Sequence, residues 1–376
     1  MTTPDPDPER EVGAPEPTVP DYGGRWVGAV LPALSGQGPP TILPEPALGA
    51  RVVVLLVLDG LGWSLLDRRA ADLPTLASLE GGPITTVAPS TTAAALTSIT
   101  TGAPPSQHGV TGFRFRVGGQ VLNALQWRLD RGGSPPDPTA VQPLAPFGGA
   151  AVPVVSRAEF ERTGFTTAHL RGAPLHGWRT QGTIATHCAA LLASGHTLVY
   201  TYYDGIDKVA HAHGLEGAFL TDELRSADRL VADLLALLPA DGALVVVSDH
   251  GQVQVGPEGQ RSLASLDAMI DQYSGEGRFR SLHARTGAAA DLLAGARELA
   301  GQQAWVRSRD EIVDAGWLGP GLPATVAGRL GDVVIAPHAP VAFADPSYQV
   351  EQRLQSMHGS LTAEEMLVPL LAGSPR

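Results

Sequence analysis

Seven aliphatic residues follow one another without interruption over Val52–Leu58. Such a run predicts a strand buried on both faces, as in a parallel sheet with helices above and below it. Shorter apolar runs of the same character stand at Val152–Val155, Thr197–Thr201 and Leu244–Val247. Between the last two, Leu220, Leu224, Ala227, Val231, Leu234 and Leu238 recur at intervals of four and three. That spacing is the apolar stripe of an amphipathic helix, and Pro239 ends it. Strands alternating with helices of this kind predict an α/β protein with a doubly wound, mainly parallel sheet flanked by helices. The pattern changes over residues 251–345, where one strand (Arg278–Ala284) and one helix (Ala288–Leu299) stand among Gly- and Pro-rich connections. Met366–Leu371 then returns to a core-like run. We therefore expect a small α+β subdomain, about 251–345, inserted into a main domain that spans 21–376. Residues 128–150, rich in Gly and Pro, are expected to form a surface loop.

Composition narrows the function classes. With 43% hydrophobic residues in 376, the chain carries enough apolar material for a large core, which excludes a disordered or fibrous protein. Its 26 Lys and Arg against 38 Asp and Glu give a net charge of -12, so stable nucleic-acid binding through a broad basic surface is not expected. The one cysteine, Cys188, excludes an internal disulfide framework and a Cys-rich metal site. No aliphatic run approaches the roughly 20 residues of a membrane span. The N-terminal residues lack the basic-then-apolar pattern of a secretory signal, and a cytoplasmic location is expected. Residues 1–20 hold six prolines and five acidic residues, with Arg10 as the one cation. That composition predicts a solvated, disordered acidic tail.

Three acidic positions stand just past strand-like runs. Asp59 follows Val52–Leu58, Asp249 and His250 follow Leu244–Ser248, and Asp207 comes shortly after Thr197–Tyr203. The carboxyl ends of parallel strands line the crevice where α/β proteins bind ligands. Three carboxylates gathered there repel one another unless a cation lies among them. Taken alone, each is an ordinary helix cap or turn residue; the clustering is what points to a metal. Asp207 stands four residues before His211, which on a helix puts both on one face, an oxygen–nitrogen donor pair suited to Zn²⁺ or a related ion. Asp204 competes with Asp207 but lacks that spacing. His213 is a neighbour of the ligands or a surface histidine. Asp249-His250-Gly251 offers adjacent donors at a turn, with Gly251 permitting an unusual backbone geometry. Met357-His358-Gly359 repeats the His-Gly pair near the end of the chain. The segment Ala88-Pro89-Ser90-Thr91-Thr92-Ala93-Ala94-Ala95-Leu96 reads as a loop entering a helix. Its hydroxyls either cap the helix or supply a nucleophile at its positive end, where free N–H groups hold a phosphate. An alcohol is a weak nucleophile, and a cation at its oxygen would activate it.

These stretches together resemble the alkaline phosphatase superfamily, most closely its type I phosphodiesterase/nucleotide pyrophosphatase branch. The matching segments are VLDGLG (57–62), APSTTAAALTSITTG (88–102), QHGVTG (107–112), DKVAHAHG (207–214), VSDHGQ (247–252) and MHGSLTAEEMLVPLL (357–371). Singly each is weak, but they follow the family's order over about residues 52–371. The resemblance implies two divalent ions, usually zinc, with Mn²⁺ or another divalent ion as a substitute. It assigns one ion to Asp207, His211 and His358, and the other to Asp59, Asp249, His250 and the nucleophile oxygen. The nucleophile is the third residue after the motif proline, here Thr92, with Thr91 and Ser90 as runners-up. It implies a phosphodiesterase or nucleotide pyrophosphatase working on a small phosphorylated substrate through a phospho-Thr intermediate. One position departs from the pattern: where many relatives carry an Asn that holds a substrate oxygen, this chain has Phe113, leaving a metal, a backbone N–H or Thr111 to serve. No Arg stands beside Thr92, as it does in the monoesterases proper, and no Cys-x-Pro-x-Arg marks a sulfatase. A phosphomonoesterase or phosphonate hydrolase with the same site, and an inactive phospho-ligand-binding member, are the alternatives.

Overall fold

The computed structural model of the chain describes residues 15–375. Its centre is a seven-stranded sheet. In chain order the strands are β1 (Val52–Leu58), β2 (Glu80–Thr85), β3 (Val154–Arg157), β4 (Leu175–Trp178), β5 (Leu198–Tyr203), β6 (Gly242–Val247) and β7 (Leu367–Gly373). Their order across the sheet is β2-β7-β6-β1-β5-β3-β4, and β7 alone runs against its neighbours β2 and β6. β1 lies between β5 and β6 and pairs with both in parallel.

The aliphatic run of β1 is explained by its two buried faces. Val53, Leu55 and Val57 join a core cluster that includes Ala93, Ala94, Ala95 and Ile99 of helix α1 (Thr92–Thr101). Val54, Leu56 and Leu58 join the opposite cluster, with Ile206 and Ala210 of α2 (Gly205–His213) and Leu220, Leu224, Ala227, Val231 and Leu234 of α3 (Ala218–Ala236). Successive strand side chains point to opposite faces, so a strand covered by helices on both sides needs no polar position. The fold is therefore the doubly wound α/β architecture that the hydrophobic pattern predicts.

Residues 251–345 carry a separate four-stranded antiparallel sheet, built from Ile270–Glu276, Phe279–Ala284, Ala304–Ser308 and Val333–Pro337. Helix α4 (Ala289–Ala300) packs on one face of it, with Leu282, Leu292, Ala296, Val333 and Ile335 in a common core. Its other face meets the main body through Phe279, Trp305, Trp317 and Val334 against Ala88, Leu361 and Met366.

The stretch 128–150 differs in part from the surface loop expected of it. It contains a strand of a small three-stranded sheet (Arg128–Leu129) and a short helix (Pro138–Val141), and buries Val141, Gln142 and Phe147. Residues 130–140 lie at the surface as expected, while Val141, Gln142, Pro146 and Phe147 turn back into the core. Of the acidic segment 1–20, residues 1–14 lie outside the described residues. The Pro15 carbonyl accepts from the Trp305 indole N–H (2.7 Å), and the Thr18 N–H donates to the Leu361 carbonyl (2.8 Å).

Candidate active site

The three neighbouring strands β6, β1 and β5 release the chain at one edge of the sheet, and the acidic groups come from those three exits. Asp59 is the first residue past β1. Asp249 and His250 lie just past β6, and Asp207 lies in the first turn of α2, which begins directly after β5. His358 follows the short strand Ser356–Met357, which pairs with Val253–Gln254 on the segment leaving His250. Two donor clusters result, Asp207/His211/His358 and Asp59/Asp249/His250, each with its donor atoms within 4.8 Å of one another. The His211 Nε2 is 3.3 Å from Asp207 Oδ1, and the His250 Nε2 is 3.4 Å from Asp59 Oδ1. The His250 and His358 rings stack with centroids 3.6 Å apart, so the two clusters adjoin.

The orientation of the donors is fixed from outside. The Nδ1 of His211 faces the Ser356 carbonyl at 2.7 Å, that of His358 the Ser90 carbonyl at 2.9 Å, and that of His250 the Gly251 carbonyl at 3.1 Å. A carbonyl only accepts, so each Nδ1 carries the proton and each Nε2 presents a lone pair toward the clusters. Asp249 Oδ1 accepts from the N–H groups of Gly60 (3.1 Å) and His250 (3.0 Å), and Asp59 Oδ2 accepts from the Tyr202 hydroxyl. The remaining oxygens, Asp59 Oδ1, Asp249 Oδ2 and Asp207 Oδ1, are buried without a hydrogen-bond partner among the described residues. Three orphaned carboxylate oxygens aimed at three imidazole lone pairs are costly as they stand. They fit divalent cations of the Zn²⁺ class, which take such oxygen and nitrogen donors.

The electrostatics agree. Burial pushes the Asp59 carboxyl well above the usual range, and the Asp249 and Asp207 charges push it further, while Tyr202 opposes. Asp207 and Asp249 are raised by burial as well, each partly offset by its histidine. His250 and His358 are pushed down, first by burial. Like charges in one dry cleft disfavour the ionised forms, and a cation reverses that preference.

Glycines permit the close approach. Gly60 takes φ +77°, and a Cβ there would press on the Cα and Cβ of Asp207. Gly251 does not take a positive φ; a Cβ on it would run into the Glu364 carbonyl oxygen and the Gly62 Cα. Its role is thus close packing of two turns, not the unusual dihedral expected from the sequence.

The three hydroxyls at the start of α1 point three ways. Thr92 is the first helical residue, and its Oγ1 lies 3.0 Å from His250 Nε2. Thr91 is the residue before the helix but makes no capping bond; its hydroxyl donates to Glu276 Oε2 at 3.1 Å. Ser90 Oγ donates to the Ser360 carbonyl (2.7 Å) and accepts from the Gly359 N–H (3.1 Å). Among the three, Thr92 alone faces the donor clusters.

The other candidates fall outside them. Asp204 is buried but pairs with Lys208 (2.6 Å) and Arg157 (3.2 Å). His213 is exposed and stacks on Phe219. Phe113 sits in the cleft near Thr92 and packs on Tyr348, with ring centroids 6.0 Å apart. Thr111 is buried and its hydroxyl has no partner among the described residues. Two contributors were not found from the sequence. Tyr202, which orients Asp59, shares a strand face with Tyr200, a signal that period-two reading offers. Glu276 comes from the 270–276 strand, 185 positions from Thr91, and no local pattern marks it.

Carboxylates and histidines thus gather at the strand exits of a mainly parallel sheet and face a hydroxyl at a helix start, on a fold shared with the solved structures below. The profile of the type I phosphodiesterase / nucleotide pyrophosphatase family matches residues 53–361, and the chain belongs to that family. Murine ectonucleotide pyrophosphatase/phosphodiesterase 5 is similar in fold, with 15% identity, 86% of this chain and 88% of that one covered, and a TM-score of 0.66. An inactive Thr-to-Ala form of that murine protein, in complex with AMP, superposes with a TM-score of 0.65 at 14% identity over 86% and 88% of the two chains. Phosphonoacetate hydrolase from Sinorhizobium meliloti, in complex with phosphonoformate, has 18% identity, coverage of 87% and 91%, and a TM-score of 0.62. GPI ethanolamine phosphate transferase 3 of Schizosaccharomyces pombe is 30% identical over 77 residues, which make up 20% of this chain and 8% of that protein. Among the described residues no helix is long and apolar enough to cross a membrane.

Proposed function

We propose that this chain is a two-metal phosphoric diester hydrolase that works through a phospho-Thr92 intermediate. The observation that carries the reading is the Thr92 hydroxyl, 3.0 Å from His250 Nε2 and facing both donor clusters. In this reading Asp59, Asp249, His250 and the Thr92 oxygen hold one divalent ion, and Asp207, His211 and His358 the other. Bound there, the ions supply Lewis acidity to the attacking and leaving oxygens of an in-line displacement.

The chain's own groups do the rest. Thr92 Oγ1 attacks phosphorus; the O–P bond forms as the bond to the first alcohol breaks, and the Thr92 proton leaves with that alcohol. Its place in the first turn of α1 sets the free N–H groups of that turn toward the oxygens of the phosphoryl group. Water then attacks the same phosphorus, phosphate monoester leaves, and Thr92 regains its proton. Two in-line inversions give net retention. The alanine form of the murine relative, described as inactive, supports a threonine in this role. The phosphonate-cleaving neighbour leaves a phosphonate hydrolase as the second reading.

A direct test uses zinc-loaded protein with bis(4-nitrophenyl) phosphate, and the monoester and phosphonoacetate as comparisons. Diester hydrolysis that requires Thr92 is the expected result. Faster cleavage of phosphonoacetate than of the diester would assign the second reading.

A further inference from the structure

The cleft has two arms that meet at Thr92. One, of about 190 Å³, runs past Leu96, Phe165, Leu170 and Tyr202. The other, of about 240 Å³, runs past Phe113, Tyr348, Val350 and Leu354. Thr92, Asp207 and Leu125 line both. A phosphorus atom at Thr92 Oγ1 thus has room for a substituent on either side.

Among the described residues, neither arm presents a Lys or Arg without a carboxylate partner. Lys208 is the one Lys or Arg on the first arm, and its Nζ lies 2.6 Å from Asp204 Oδ2. His169, also on that arm, is held neutral: burial lowers its pKa to about 4, and its Nδ1 faces the Phe165 carbonyl. Among the described residues no Lys or Arg lines the second arm; its acidic groups are Glu276 and Glu351, and Glu351 is paired with the buried Arg280. Glu276 Oε1 is buried without a hydrogen-bond partner among the described residues. A substituent bringing its own phosphate would meet aliphatic and aromatic walls on one side and, on the other, Phe113, Tyr348, Val350 and Leu354 with no Lys or Arg among the described residues to pair it. Sites that hold such a phosphate present Arg, Lys or free backbone N–H groups. Val350 and Leu125, 64% and 37% exposed, extend the apolar lining to the mouth.

Resting on the diesterase reading, we propose that the cleft takes a phosphate diester whose two arms are both uncharged, at least one of them apolar. It turns away substrates with a second phosphate, such as nucleoside polyphosphates. Leu125, at the junction of the arms, is the specificity-determining residue.

The test uses the zinc-loaded full chain. 4-Nitrophenyl methyl phosphate and 4-nitrophenyl hexyl phosphate share a leaving group and differ only in the retained arm. ATP, read as release of pyrophosphate, is the polyphosphate probe. We expect kcat/KM for the hexyl diester to exceed that for the methyl diester by at least about tenfold, and to exceed that for ATP by at least as much. Leu125→Arg, on an exposed position, should shrink the arm-length gain and raise turnover of ATP. Equal rates on the two diesters, or ATP cleaved as fast as the hexyl diester, would overturn the arm assignment while leaving a Thr92-dependent diesterase intact. No turnover of any diester by the zinc-loaded wild type would instead bring down the diesterase reading, and the arm assignment with it.

Discussion

Arg278 is fully buried, and all five of its N–H donors are used. Nε and one terminal nitrogen bind Glu365 at 2.7 and 2.8 Å, while the carbonyls of Pro337, Ala339 and Val341 accept at 3.1, 2.9 and 2.8 Å. Glu365, itself buried, also accepts from the Ser360 N–H (3.0 Å) and the Thr362 hydroxyl (2.6 Å). The pair ties the 270–284 hairpin to the segment that follows His358. Arg278→Met would leave a buried carboxylate with no counter-charge and three carbonyls short of a donor. Removing one partner of such a pair costs about 3–5 kcal/mol. With a urea m-value of about 3 kcal/mol/M, a loss near 4 kcal/mol lowers the unfolding midpoint by more than about 1 M. Arg278→Lys keeps the charge but has only three donors, and we expect about 1–3 kcal/mol. Arg278→Met/Glu365→Leu should recover only part of the loss, because Ser360 and Thr362 would lose their acceptor. Urea titrations followed by tryptophan fluorescence measure all three; Trp305 and Trp317 lie in the adjoining core. An Arg278→Met unfolding free energy within about 0.5 kcal/mol of wild type would refute the view that this pair anchors the hairpin.

Three further outcomes are expected. Thr92→Ala should lower diester turnover by several orders of magnitude while the Asp and His donors still bind metal, and Thr92→Ser should keep part of the activity. Thr91→Ala removes one hydrogen bond to Glu276 and should cost about 1 kcal/mol of stability with little change in turnover; a dead Thr91→Ala beside an active Thr92→Ala would mean the other hydroxyl attacks. Stability should fall with acid: burial lowers the folded pKa of His108 from 6.5 to about 3 and of His169 from 6.5 to about 4. Their neutral forms then favour the fold fully above pH 6.5, and that contribution is lost on descent toward the folded values. At about 1.4 kcal/mol per pH unit, each histidine costs about 2 kcal/mol at pH 5, and a His108→Gln/His169→Gln variant whose stability change between pH 7 and 5 matches that of wild type would contradict this.

Much of the fold is legible because periodicity reports burial. β1 is marked by its continuous aliphatic run, and α3 by its leucine stripe. β2, with the sequence Glu-Gly-Gly-Pro-Ile-Thr, carries neither signal; it is an edge strand held by β7, its Pro83 opposite Pro369. Leu175–Trp178 is the opposite edge, too short for alternation to show. In the site, Asp59, Asp207, Asp249 and their histidines stand out because the carboxyl ends of adjacent strands converge by topology. The sorting of Ser90, Thr91 and Thr92 is not legible, since it depends on Gly359, Ser360 and Glu276, all distant in sequence. Glu276 itself is invisible for the same reason.

In the proposed function, hydrolysis depends on two divalent ions held by these clusters. Chelated full-length protein, titrated with Zn²⁺ while bis(4-nitrophenyl) phosphate hydrolysis is followed, tests it most directly. Activity should be absent at the start and rise to a plateau at about two ions per chain. Full activity in protein shown by elemental analysis to hold no metal would contradict it.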